Sequence, residues 1–181
     1  VSSYWVPDAT RYIGYNPYRE EDRTIHEFPC YSFVLGDLHA HVVNIMFVLL
    51  VTGLLYVWLR GIRKKTVEMD ASMKEGKFWR EQLLMPHLLI VSVLLGMFQW
   101  TNFWDFVIYY VVTLGTVLFA NRLRFQGKIK KIIAVTFAQM AEIYLVAYLV
   151  ILPFTLQFDT MVDGIGIAKY HSYFYQLMVL W

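Results

Sequence analysis

Apolar residues in this chain come in long unbroken runs, separated by short polar segments, rather than at the spacing of a half-buried helix or strand. Four runs, Leu38–Leu59, Leu83–Gln99, Phe103–Ala120 and Ile132–Leu152, have the roughly 17–25 residues needed to cross a bilayer. A fifth begins near Tyr173. One such run fits the buried helix of a soluble domain; four in series do not. Backbone groups in lipid have no water to bond, so the spans are expected to be helices. The predicted fold class is an all-α integral membrane bundle, with a juxtamembrane segment over 1–37 and the bundle over 38–181.

Basic residues orient these spans. Arg60–Arg80 holds seven of them and Asn121–Lys131 five. The alternate segments hold only Arg11, Arg19, Arg23 and Lys169. The bias alternates at every crossing, which a set of merely solvated loops does not explain. By the positive-inside rule the two basic loops, 60–81 and 121–131, are expected in the cytoplasm. Residues 1–37, the turn at 100–105 and the stretch after Leu152 are then outside. Between the first two spans, Met69, Met73 and Trp79 suit a surface helix dipping into the headgroups, and a solvated linker fits equally.

Composition narrows the function classes. Hydrophobic residues make up 58% and charged residues 17%, against roughly 25% charge in soluble domains, which excludes a disordered chain. The net charge of +2 gives no reason to expect a nucleic-acid partner. Cys30 is the only cysteine, so no disulfide framework or cysteine zinc cluster forms within the chain. No basic segment leads into a short apolar run at the start, so no signal peptide is read there. The chain opens at Val1 and stops inside an apolar run at Trp181; it is expected to be a piece of a larger membrane protein.

The densest set of reactive side chains precedes the first span: Glu27, then Asp37, His39 and His41. Carboxylate and imidazole together suit divalent-metal binding or proton transfer. In an extended segment Asp37, His39 and His41 share one face; on a helix His39 points away from the other two. Gly36-Asp37 also reads as a helix N-cap. Position 40 is Ala, so a reciprocal capping box is absent.

The second set is Gln99-Trp100-Thr101-Asn102-Phe103-Trp104-Asp105, in the short turn between two spans. The tryptophans fit an interfacial belt. Asn102 is read as capping the third span, which puts Asp105 in its first turn, where the helix dipole favours an acid; lining a pocket is the alternative for both. Glu142 lies mid-span with Gln139 one turn earlier, and an acid there is a functional candidate by default. A hydrogen bond to another helix is the plainer reading. The last outer stretch, with Asp159, Asp163, Gly164, Gly166, Lys169 and His171, has neither phosphate-loop nor calcium-loop spacing.

Glu27-Phe28-Pro29, Tyr31-Ser32-Phe33 and Gly36-Asp37-Leu38-His39-Ala40-His41, followed by Trp100-Thr101-Asn102 and Trp104-Asp105, resemble the "YYY" (Chlor_Arch_YYY) family of large prokaryotic membrane proteins. The resemblance runs from about Tyr4 to the fifth apolar run. Phe103 stands where a small residue is expected, and Cys30-Tyr31 replaces a more usual aromatic run; neither touches the ionisable set. The resemblance implies the GT-C glycosyltransferase superfamily, multi-span enzymes that take sugar from a polyprenyl-phosphate carrier at the outer face. Their first outer loop carries essential acids, and residues 1–37 would be that loop if one helix precedes Val1.

The resemblance therefore implies a GT-C-like glycosyltransferase in a prokaryotic plasma membrane, with a lipid-linked sugar donor as partner. Asp37 or Glu27 would be the general base. His39 and His41, with or without a divalent metal ion, would bind the carrier phosphate, and Asn102, Trp104 and Asp105 would line the substrate pocket. Two further readings stay open: a transporter or channel using Glu142 and Asp105, and a metal-dependent hydrolase with Asp37, His39 and His41 as ligands. A scaffold without chemistry leaves the outer cluster unexplained.

Overall fold

The computed structural model describes residues 11–15, 17–20, 23, 29–36, 38–64, 75–158 and 171–180. Their helices are α1 (Pro29–Leu35), α2 (Ala40–Lys64), α3 (Glu75–Leu83), α4 (Pro86–Thr101), α5 (Phe103–Arg124), α6 (Ile129–Thr155) and α7 (Phe174–Leu180). Among the described residues there is no strand, only an isolated bridge between Tyr15 and Tyr18. The all-α membrane fold read from the apolar runs is the fold observed.

Among the described residues three helices are long and apolar enough to cross a membrane: Ala40–Ile62, Phe103–Arg124 and Ile129–Thr155. The run expected as a span over Leu83–Gln99 is largely α4, which forms a bent pair with the preceding helix, Gly76–Leu83 and Pro86–Thr101 meeting at 49°. Pro86 is the cause. It has no N–H to donate and it occupies the first helical position of α4, so the helix restarts there. At the other boundary, α2 continues past Leu59 through the basic residues to Lys64. Arg60 in this turn is exposed, and a long basic side chain can keep its stem on apolar surface while its charged end reaches water.

The chain divides into two compact units: Val43–Asp159, and Val1–Val42 with Thr160–Trp181. In the first of these, α4 lies at the centre of the core. Leu88, Val91, Leu95 and Phe98, at every third or fourth position, are buried with Val51 and Leu55 of α2, Val117 and Ala120 of α5, and Ile143 and Ala147 of α6. Helix α4 meets α6 at Gly96, where a Cβ would stand 2.7 Å from the Ala147 carbonyl oxygen. Small residues permit such close approach between membrane helices, where packing rather than water drives association. Large apolar side chains such as Phe137, Leu145 and Leu149 on α6 point outward, as a lipid-facing surface requires.

Helix α3 is anchored by Phe78, which is buried with Phe125, Ile132 and Val135. Trp79, read as one of three residues dipping into the headgroups, is partly buried against this cluster; Met69 and Met73 lie outside the described residues. Lys131 Nζ sits 4.3 Å from the Phe78 ring centre, within range of a cation–π contact.

A seam of amides joins α3, α5 and α6. Asn121 Nδ2 donates to Gln139 Oε1 at 2.8 Å and to Thr136 Oγ1 at 3.1 Å. Gln139 Nε2 donates to the Gln82 carbonyl at 3.0 Å. Tyr110 adds a bond from its hydroxyl to the Met140 carbonyl at 3.1 Å.

In the other unit, α1 ends at Gly36, whose φ of +65° is the left-handed conformation that favours glycine at a helix C-terminus. Helix α7 opens where the fifth apolar run was expected. Gln176 Oε1 accepts from the Tyr173 backbone N–H at 2.9 Å, which is the returning half of a capping box. The Arg19 guanidinium lies 4.8 Å from the Tyr173 ring centre and donates to its hydroxyl.

Candidate functional site at the α4–α5 turn

The polar turn between α4 and α5 is built on Asn102. Its N–H closes α4 on the Phe98 carbonyl at 2.8 Å, and its own carbonyl accepts from Asp105 N–H at 3.0 Å. One extended residue, with φ −157° and ψ 100°, therefore ends one helix and starts the next. Asn102 stands at the N-cap position, as the spacing predicts, but its side chain makes no capping bond. Its amide Nδ2 instead donates to Asp105 Oδ2 at 3.1 Å.

The same carboxylate oxygen accepts from Asn44 Nδ2 of α2 at 2.8 Å. Asn44 is fully buried, and its Oδ1 has no hydrogen-bond partner among the described residues. The amide orientation is fixed chemically: turning it over would set its oxygen against a carboxylate, which accepts only. The site is thus one carboxylate held by two amides, with a buried acceptor beside it that a hydroxyl or other donor would satisfy. Bonds to an ionised acceptor are among the strongest available, so Asp105 is held in a defined position. Sequence reading found Asn102 and Asp105 and missed Asn44. The only signal was a lone amide inside an apolar run, and an intramembrane polar residue asks for a partner.

Trp104 is 71% exposed and meets Phe103 edge-on, with ring centres 6.3 Å apart. Trp100 is exposed as well. This is the outward placement of interfacial tryptophans.

His39 and His41 are gathered in the other unit. Their rings stack with centres 5.7 Å apart and planes at 23°. Helix α2 begins only at Ala40, and the His39 carbonyl accepts from Val42 N–H at 2.9 Å. His39 is therefore pre-helical, which puts both imidazoles on one side, as the extended alternative requires. His41 Nε2 lies 3.4 Å from Oγ of the buried Ser32. An Asp37 cap would open the helix at 38, two residues earlier than observed. Asp37 and Glu27 themselves lie outside the described residues. Among the described residues no three His, Cys, Asp or Glu side chains gather as metal ligands.

Glu142 is half-buried on α6, and its Oε2 is buried without a hydrogen-bond partner among the described residues. Gln139, one turn earlier, is committed to Asn121 and Gln82. Of the last outer stretch only His171 is described, and it is exposed.

No curated protein and no solved structure matches the chain. The family model that does match is that of an uncharacterized membrane protein family, DUF2298, and it covers residues 1–181. An all-α bundle with membrane-spanning helices agrees with that description, and the chain belongs to this family of integral membrane proteins.

Proposed function

We propose that the chain is part of a GT-C-like membrane glycosyltransferase of the "YYY" type, transferring sugar from a polyprenyl-phosphate carrier. The observation that carries this reading is the Asp105 carboxylate, held at 2.8 and 3.1 Å by Asn44 and Asn102 beside the unpartnered Asn44 oxygen. A positioned carboxylate next to an empty acceptor suits recognition of a hydroxyl-bearing substrate at the end of the spans. The alternation of basic loops supports that end being outside, in a prokaryotic plasma membrane, where lipid-carried sugars are used.

In this reading Asp37 or Glu27 takes the proton of the acceptor hydroxyl as it attacks the anomeric carbon, and the carrier phosphate leaves. His39 and His41 bind that phosphate. Their stacked placement on one side of the chain suits a shared anion or cation. If a divalent ion takes part, Asp37, His39 and His41 would hold it, and it would neutralise phosphate charge. Asn102 and Asp105 line the sugar or acceptor pocket, and the exposed Trp104 ring offers an apolar face at its rim. The test is sugar transfer from a polyprenyl-phosphate donor by the purified protein. Asp37→Ala should abolish transfer and Asp105→Ala should lower it, with both variants folded in detergent. Full activity in Asp37→Ala would sink the assignment.

A second reading, a transporter or channel, draws support from Glu142, whose buried mid-span oxygen has no partner among the described residues, since an intramembrane acid asks for a function. Ion or proton flux in proteoliposomes, lost in Glu142→Gln and unaccompanied by sugar transfer, would favour it instead.

A further inference from the structure

At the end of the Val43–Asp159 unit where its basic residues gather, a cavity of about 420 Å³ opens beside the α3–α4 break. Its walls are apolar: Val57, Trp58 and Ile62 of α2, and Met85 at the break. Arg124, the last residue of α5, and His87, in the first turn of α4, supply its polar side. Among the described residues no carboxylate lines it. Arg124 Nη1 is buried and has no hydrogen-bond partner among the described residues.

A guanidinium that gives up water needs acceptors in return, and its planar fork suits a phosphate or carboxylate. Burying it unpaired is costly. The rest of the cavity asks for the opposite chemistry, since hydrocarbon covers such walls best. A free phosphate would leave the walls bare. A plain acyl chain would leave Nη1 unpaired, although the guanidinium also lies 5.3 Å from the Phe125 ring centre. A lipid with a net-negative phosphate head satisfies both, with the phosphate on Arg124 and His87 and the glycerol and first methylenes along Trp58 and Ile62. Exposed Arg60, Arg122 and Lys128 on the neighbouring helix ends add a field that attracts such lipids.

We infer that this cavity is a binding site for an anionic phospholipid. It is separate from the Asp105 cluster, which occupies the other end of α5, roughly 28 Å away at 1.5 Å per residue. The inference does not depend on the glycosyltransferase reading.

The test is native mass spectrometry of the purified protein in detergent, with phosphatidylglycerol, phosphatidylcholine and glycerol 1-phosphate as probes. Phosphatidylglycerol should be retained in preference to phosphatidylcholine, and glycerol 1-phosphate should not compete with it. Arg124→Gln should weaken retention about tenfold or more, as expected for losing a charged hydrogen bond. Gly61→Phe gives an independent check. Gly61 lines the cavity, and a Cβ there meets nothing within 4 Å, so the substitution starts into open space and brings bulk without a change of charge. It should weaken retention while keeping the thermal midpoint at or above that of the parent protein, since glycine is the poorer helix former. If Arg124→Gln does not fold, Gly61→Phe decides. Equal retention of the two lipids, undiminished retention in folded Gly61→Phe, or competition by glycerol 1-phosphate would each overturn the inference.

Discussion

Gly96→Ala isolates the close approach of α4 and α6. The added methyl would stand 2.7 Å from the Ala147 carbonyl oxygen, 2.8 Å from Val150 Cβ and 3.0 Å from Val150 Cγ1. Carbon atoms rest at about 3.5–4.0 Å from each other. The oxygen and the Cβ are fixed to the main chain and cannot swing aside, so the helices must part by roughly 0.5–1 Å. A gap of that size forfeits about a quarter to a half of each dispersion contact along the seam, and overpacking of this kind costs about 1–3 kcal/mol. Alanine's better helix propensity returns about 0.8–1.0 kcal/mol. The expected net loss is about 0–2 kcal/mol, or up to roughly a 30-fold fall in the folded-to-unfolded ratio, which places Gly96→Ala below any glycine whose Cβ is accommodated freely. Gly53→Ala and Gly115→Ala are the controls, because a Cβ at either meets nothing within 4 Å. Those variants should be neutral or more stable by up to about 1 kcal/mol. Reversible SDS unfolding in mixed micelles, followed by tryptophan fluorescence, reads all three. If Gly96→Ala proves as stable as the two controls, α4 and α6 do not pack through this glycine.

Asn44→Leu removes the 2.8 Å bond to Asp105 and should cost about 1.5–3 kcal/mol, the range for bonds to charged groups; an unchanged unfolding midpoint would mean the carboxylate is not held from α2. Gln139→Leu breaks the amide seam and should cost about 0.6–1.7 kcal/mol. Combined with Asn121→Leu, the loss should be less than additive, and strict additivity in the double-mutant cycle would argue against a shared network. Pro86→Ala restores an N–H at the α3–α4 break, so spin labels at the exposed Lys77 and Val93 should move apart as the 49° bend opens. Unaltered label distances would assign the bend to packing rather than to proline.

The spans were legible because lipid imposes one solution on a long apolar run, a helix with every backbone bond made internally. What the runs could not convey was where a helix meets water. Helix α2 outlasts its apolar stretch by a turn of basic residues, and α4 starts late because one ring lacks an N–H. Asp105 stood out as an acid at a span edge, a position that demands a reason in any fold. Asn44 did not, because a single amide has no spacing pattern and its meaning depends on which helix faces it. Gln139 was grouped with Glu142 because they share a helix side, yet its partners, Asn121 and Gln82, lie on other helices. Stacking of His39 on His41 depended on whether position 39 was already helical, a question of one residue that periodicity does not resolve.

The amide seam between α5 and α6 bears on how the protein is made. Asn121 and Gln139 would each resist leaving an aqueous insertion channel for lipid, because an amide surrendered alone to hydrocarbon loses its water without replacement. They lie 18 positions apart on either side of a short turn and bond at 2.8 Å. The two helices can therefore leave the channel as one hairpin, each masking the other's polar group. Mutating either amide to a charged residue should then impair membrane integration of both spans together, before any question of folding or function arises.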